Sequence, residues 1–127
     1  MLQMTEHKPG QHHFIRAVRA DGLVVDDQHH SASLIIGARL LHTEWPVHSL
    51  SDLNETTIAP LLEHQPELVV IGCGERPGFP GLDLQRLFVE RGVGIECMSL
   101  SAACRTFNIL MSENRRAVAG LILGHQS

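Results

Sequence analysis

Tyrosine is missing from this 127-residue chain, and Trp45 stands alone beside four phenylalanines. Aromatic platforms on which bases could stack are therefore scarce. Long basic runs are missing too. The longest is Arg115-Arg116, and the net charge is −4 with both signs scattered. Without a basic stripe there is nothing to follow a phosphate backbone, so no nucleic-acid partner is expected. No apolar run approaches the roughly 18 residues that a spanning helix needs, and no membrane insertion is expected. The first residues, MLQMTEHKPGQHH, lack the apolar stretch of a signal peptide.

Cysteine is sparse and odd in number: Cys73, Cys97 and Cys104, with no CxxC pair. A secreted disulfide scaffold of this size would carry more, so a reducing, cytoplasmic compartment is expected. Nine histidines are present, yet no HxH, no HExxH and no pair at helical i, i+4 spacing. His12-His13 and His29-His30 fall in polar segments, where metal ligands do not converge. No metal and no cofactor are expected. No GK[ST] follows the glycines, which excludes a P-loop.

What is present fits one domain. A chain of this length can bury roughly two-thirds of its unfolded surface. Residues 1–12 read as a loose polar tail and 13–127 as one globular unit. A strand is expected from Phe14 to about Ala20, a tight turn at Asp21-Gly22, and a return strand from Leu23 to Val25. Asp26 to His30 reads as a polar break. Strands follow over Ser33–Ile36 and Arg39–His42, around Gly37. Ile58 to His64 predicts a helix capped by Thr56 or Thr57, with Pro60 in its first turn. The run Leu68–Ile71 is continuous and apolar, as a strand covered on both faces should be. A helix from Leu82 closes at Arg91-Gly92, and Val93–Met98 is the next strand.

The last helix places Leu100, Ala103, Cys104, Phe107, Leu110 and Met111 on one stripe, with Ser99 or Ser101 as its cap. Arg115 and Arg116 follow at its C-terminal end, where cations suit the helix dipole. Ala117–Leu123 forms the final strand. The fold class expected is α/β: a layered domain with a mixed central sheet, a parallel βαβ core with the last strand antiparallel, and an N-terminal β-hairpin layer.

The stretch Pro66–Gly81, PELVVIGCGERPGFPG, turns from strand to glycine-rich loop to helix. Its spacing is GxGxxxG, with two prolines before the helix, so the dinucleotide fingerprint does not fit. Either the glycines serve a tight loop, or the loop binds a small ligand or anion beyond the strand ends. The residues placed at that edge are Gly72, Cys73, Gly74, Glu75, Arg76, Glu96, Ser99 and Ser101. Arg76 could pair an anion and the serines could donate hydroxyls, unless they act as caps. Cys73 is a small buried thiol or a nucleophile, the latter requiring a lowered pKa and a base. Glu96 in a strand and Asn108 in a helix are locally unfavourable choices. Each either locks a loop backbone or lines a cleft.

Together, VVIGCGERPGFP and GVGIECMSLSAACRTFNILMSENRRAVAGLIL resemble a small domain family of unknown biochemical function. That family is shared by bacterial and archaeal single-domain proteins, a mitochondrial assembly factor for respiratory complex I and an adipogenesis-associated protein. Its pattern of Gly-Thr-Gly, Glu-x-Met, Ala-x-x-Thr-aromatic-Asn and Glu-x-Arg is met here by four segments. They are Gly72-Cys73-Gly74, Glu96-Cys97-Met98, Ala103 with Thr106-Phe107-Asn108, and Glu113-Asn114-Arg115. Cys73 replaces the usual threonine, so a hydroxyl role there is lost, and serine stands at 99 or 101 where threonine is common. The resemblance implies a compact α/β domain with an extra β layer and no established reaction. It implies an accessory, assembly-type module that binds respiratory-complex subunits or assembly proteins, more a binding protein than an enzyme, as a monomer or weak homodimer. The alternative is a ligand-binding protein or enzyme with a site at the Gly72–Gly78 loop.

Overall fold

A computed structural model describes residues 12–75 and 78–124. The expected tail therefore lies, apart from His12, outside the described residues. The first layer is a three-stranded antiparallel meander: β1 (Ile15–Arg19), β2 (Gly22–Val25) and β3 (Gln28–His30). The first turn is Ala20-Asp21, one residue before the expected Asp21-Gly22, because Gly22 pairs with Arg19 as the first residue of β2, close under the His30 carbonyl. The stretch expected to be a polar break is instead a turn and a third strand. Asp26 adopts φ 54° and anchors that turn. Its carboxylate accepts from the Phe14 amide at 3.0 Å and faces His13 Nδ1 at 2.7 Å. A short polar side chain tolerates this left-handed conformation because it can bond locally.

The second layer is a five-stranded mixed sheet. Its strands are β4 (Leu34–Ile36), β5 (Leu41–His42), β6 (Leu68–Cys73), β7 (Gly94–Met98) and β8 (Ala117–Ile122), in the order β5-β4-β8-β6-β7. β6 and β7 are parallel, as expected. β8 makes an antiparallel ladder with β4, but it runs parallel to β6, which corrects the expected orientation of the last strand against the βαβ core. The short connection before it suffices because a whole helix has already returned the chain. Asn114 at φ 58° then reverses direction, and its amide bonds back to Met111. Arg115, expected at the helix end, reaches across to Glu67 instead.

Three helices cover this sheet: α1 (Glu55–Leu62), α2 (Leu82–Glu90) and α3 (Leu100–Ser112). α1 starts earlier than its sequence pattern predicts. Asn54 is the cap and Thr57 completes a capping box, so Pro60 lies inside the helix and not in its first turn. The Asn54 side chain accepts from both the Thr56 and Thr57 amides at 2.9 Å, a stronger nucleus than a threonine cap gives.

Alternation along β6 and β8 divides the core in two. Val70, Ala119 and Leu121 face α3 and the meander, while Val69, Ile71, Val118 and Ile122 face α1, α2 and Trp45. Phe107 anchors the first half and Phe88 the second, both fully buried. Each contributes roughly 1.5–3 kcal/mol from burial alone. Two glycines permit close approaches within this core. A Cβ on Gly72 would stand 2.4 Å from the Ala103 Cβ, and one on Gly120 would stand 2.8 Å from the Trp45 ring. Trp45 is buried and its indole N–H donates to the Thr57 carbonyl at 2.9 Å.

Candidate functional site

The carboxyl ends of β6 and β7 meet the N-terminus of α3, and four of the residues singled out from the sequence converge there: Gly72, Cys73, Gly74 and Ser99. Gly74 adopts φ 62°, which lets the chain turn out of β6. Its carbonyl accepts the Leu100 amide at 2.9 Å, and Ser99 Oγ accepts the Ala102 amide at 3.3 Å. Two of the first three amides of α3 are thus already engaged, which weakens this helix start as an anion cradle. Ser99, not Ser101, is the cap; Ser101 lies on the exposed face of the helix.

The other residues do not join them. Glu75 is exposed on the bend after Gly74, and Arg76 lies outside the described residues. Glu96 pairs in register with Val70, two positions before the strand end, and is exposed on β7. Asn108 stands nine residues beyond Ser99, on the order of 13 Å along the helix. It turns to β1, where its Oδ1 accepts the Ile15 amide at 3.0 Å and its Nδ2 donates to the Ile15 carbonyl at 2.8 Å. Of its two sequence readings, the backbone lock is the one the geometry matches.

Cys73 and Cys97 share the α2 face, because Cys97 pairs with Ile71 and Cys73 follows two residues later. Burial pushes the Cys73 thiol up from its ordinary value, against a smaller opposing effect of a backbone hydrogen bond from Leu50. Burial pushes Cys97 up to about 11, with the neighbouring Cys73 adding to it, and buried Cys104 up to about 12. These directions are opposite to those of an activated nucleophile. One histidine of each adjacent pair bonds to a carboxylate, His13 to Asp26 and His29 to Asp21. Among the described residues no group of three or more His, Cys, Asp or Glu is placed to hold a metal.

A groove of about 250 Å³ that the sequence reading missed runs between α1 and α2, with Ile58, Leu62 and Leu87 as apolar walls and Arg91 beside Glu55 and Glu63. The i, i+4 pair Leu87 and Arg91 was visible in the sequence. Nothing in it said that α1 and α2 lie side by side.

Residues 15–122 match a family described as protein of unknown function (DUF498/DUF598). A protein of Francisella tularensis named 13 kDa major membrane protein is 23% identical over 116 residues, covering 91% of this chain and 94% of that protein. The human NADH dehydrogenase [ubiquinone] 1 alpha subcomplex assembly factor 3 is 31% identical over 114 residues, covering 81% of this chain. The chain spans 62% of that factor's length. A solved Bordetella pertussis protein, described as an Mth938-like domain, superposes with a TM-score of 0.79 at 25% identity, covering 99% of this chain and 95% of that one.

Proposed function

The chain belongs to the DUF498/DUF598 family of proteins of unknown function, and from that membership we propose that it is an accessory module that binds a protein partner during assembly of a respiratory complex. The similarity to complex I assembly factor 3 is the observation that supports this reading. The name of the Francisella relative agrees with work at a membrane. No helix among the described residues is long and apolar enough to cross one. The arrangement of side chains supports a binding role as well. Ser99 and Asn108 hold backbone, and the Cys73 thiol is pushed away from reactivity. The competing reading, a ligand site at the Gly72–Gly78 loop, has less support because two of the first three α3 amides are engaged.

Tagged full-length protein, cross-linked and recovered from its native lysate for mass spectrometry, tests the proposal. Stoichiometric recovery of respiratory-complex subunits or their assembly proteins is expected. A bait recovered without any such protein overturns it.

A further inference from the structure

Two of the three cysteines share one corner of the large sheet and have no part in the binding role. Cys73 ends β6 and Cys97 lies in β7. The two strands are parallel and Cys97 stands opposite Ile71, so Cys73 sits two residues further along the neighbouring strand. Residues two apart on a strand share a face. Both thiols therefore lie on the α2 side, where both pack against the same half of the core. Cys104 belongs to the other half. Cys73 and Cys97 are not disulfide-bonded and each is half-buried, so an ion can reach them from solvent. Cys73 also adds to the upward shift of the Cys97 thiol, as a near neighbour does.

Spacing decides what this pair can do. Two residues of rise along a parallel strand and one step between strands put the two Cα atoms roughly 8 Å apart. A disulfide needs its Cα atoms within about 7 Å and its sulfurs about 2 Å apart. The backbone resists closing that gap, because Cys73 is also paired with Ile122 of β8 on its other side. An ion between the sulfurs changes the reach. At about 2.3 Å for each metal–sulfur bond, the sulfurs stand up to roughly 4.6 Å apart. That adds about 2.5 Å to a disulfide's usual Cα separation of about 5.5–6 Å, and the sum matches this diagonal.

We propose that Cys73 and Cys97 hold one copper(I) ion between their sulfurs, a site independent of the accessory role. Thiolates select soft ions, among them copper(I), zinc and the iron of iron–sulfur clusters. Structural zinc takes four ligands, and clusters are held by four cysteines. Among the described residues no third His, Cys, Asp or Glu joins this pair. Copper(I), with its closed d shell, is satisfied by two sulfurs in line. Binding forms two copper–sulfur bonds and releases both thiol protons to solvent, with no change of oxidation state, because a coordinating thiol gives up its proton outright. The Leu50 backbone hydrogen bond to Cys73 would steady the thiolate, as outer partners of metal ligands do.

The test titrates reduced full-length protein under nitrogen with copper(I) held by bicinchoninate, and reads the colour lost as copper moves to the protein. One equivalent should move to the parent and to Cys104→Ser. X-ray absorption at the copper edge should show two sulfur neighbours. Cys73→Ser and Cys97→Ser should each weaken binding by more than the roughly 10–100-fold that loss of an outer partner costs. Urea midpoints read from Trp45 separate a lost ligand from a lost fold. A second measurement needs no variant: copper should shield Cys73 and Cys97 of the parent from iodoacetamide, read by peptide mass spectrometry. No transfer to the parent, unshielded thiols, transfer kept by a folded Cys73→Ser or Cys97→Ser, or a copper shell of nitrogen or of more than two sulfurs overturns the proposal. So does a Cys73–Cys97 disulfide formed with diamide while the fold is kept, since the thiols would then stand closer than an ion between them requires.

Discussion

Replacing Asn108 by alanine should destabilise the protein by about 2–3 kcal/mol. The side chain makes two bonds to one residue of β1, at 3.0 and 2.8 Å, and Ile15 is only 4% exposed. Each bond contributes about 1 kcal/mol net, and a backbone group left unpaired adds to the loss. β1 has a register shift between Ile15 and Ala17, so this end of the strand leans on the clamp more than on its own ladder. At about 2.1 cal/mol/K per residue, the unfolding entropy of 127 residues is near 0.27 kcal/mol/K, so each kcal/mol lowers Tm by about 4 °C. A fall of about 8–12 °C follows. Urea unfolding read by the fluorescence of buried Trp45 should show a lower midpoint with an unchanged slope. Asn108→Asp sharpens the test, because its carboxylate would face the Ile15 carbonyl and only its protonated form can donate. Its folded pKa would be raised, so its stability is present at low pH and is lost as pH rises through that value. An alanine variant whose midpoint stays within about 0.5 kcal/mol of the parent, inside the scatter of ordinary surface changes, would refute the clamp.

Gly72→Ala should cost about 1–3 kcal/mol, since the new methyl meets the Ala103 Cβ and forces β6 and α3 apart; thermal melts check it, and no change would mean the helix gives way freely. Trp45→Phe keeps an apolar ring but leaves the Thr57 carbonyl without its indole donor, so a loss of about 1–2 kcal/mol is expected in chemical denaturation. Cys104 has a folded pKa of about 12 against an ordinary 9.0, so the folded state holds the thiol proton more tightly. Its contribution is complete below pH 9 and is lost as pH rises towards 12. Cys104→Ala should flatten the alkaline fall in stability measured over that window, whatever it does to the midpoint at neutral pH.

Much of the fold was legible because periodicity is a local property. The stripe Ala103, Cys104, Phe107, Leu110 and Met111 is buried as its spacing required, and Leu68–Ile71 is a covered strand. Errors arose where a side chain chose between local options. Asn54 took the cap that two neighbouring threonines offered, and Asp26 closed a turn that made a strand of Gln28–His30. The direction of β8 against β6 depends on which strand it lands beside, a long-range outcome that no window of sequence contains. Of the candidate site residues, Gly72, Cys73, Gly74 and Ser99 lie together at the end of β6 and the start of α3. Glu96 and Asn108 look alike as polar residues in apolar elements, yet one ends in solvent and the other on a backbone 93 positions away.

The middle of the large sheet is its latest part to be made. β8, the final strand, lies between β4 and β6, which are otherwise unconnected to each other in the ladder. Ser33 closes the same seam: its hydroxyl donates to the Val47 carbonyl at 2.6 Å and accepts the Leu123 amide at 2.7 Å. A chain still leaving the ribosome has two half-sheets, each with an apolar side waiting for a strand that has not yet emerged. Assembly of the whole sheet must therefore await the emergence of β8, and a nascent chain halted before residue 117 presents two open edges to chaperones or to a neighbour. A stop in translation before β8 would remove the one strand that joins the two halves of this sheet.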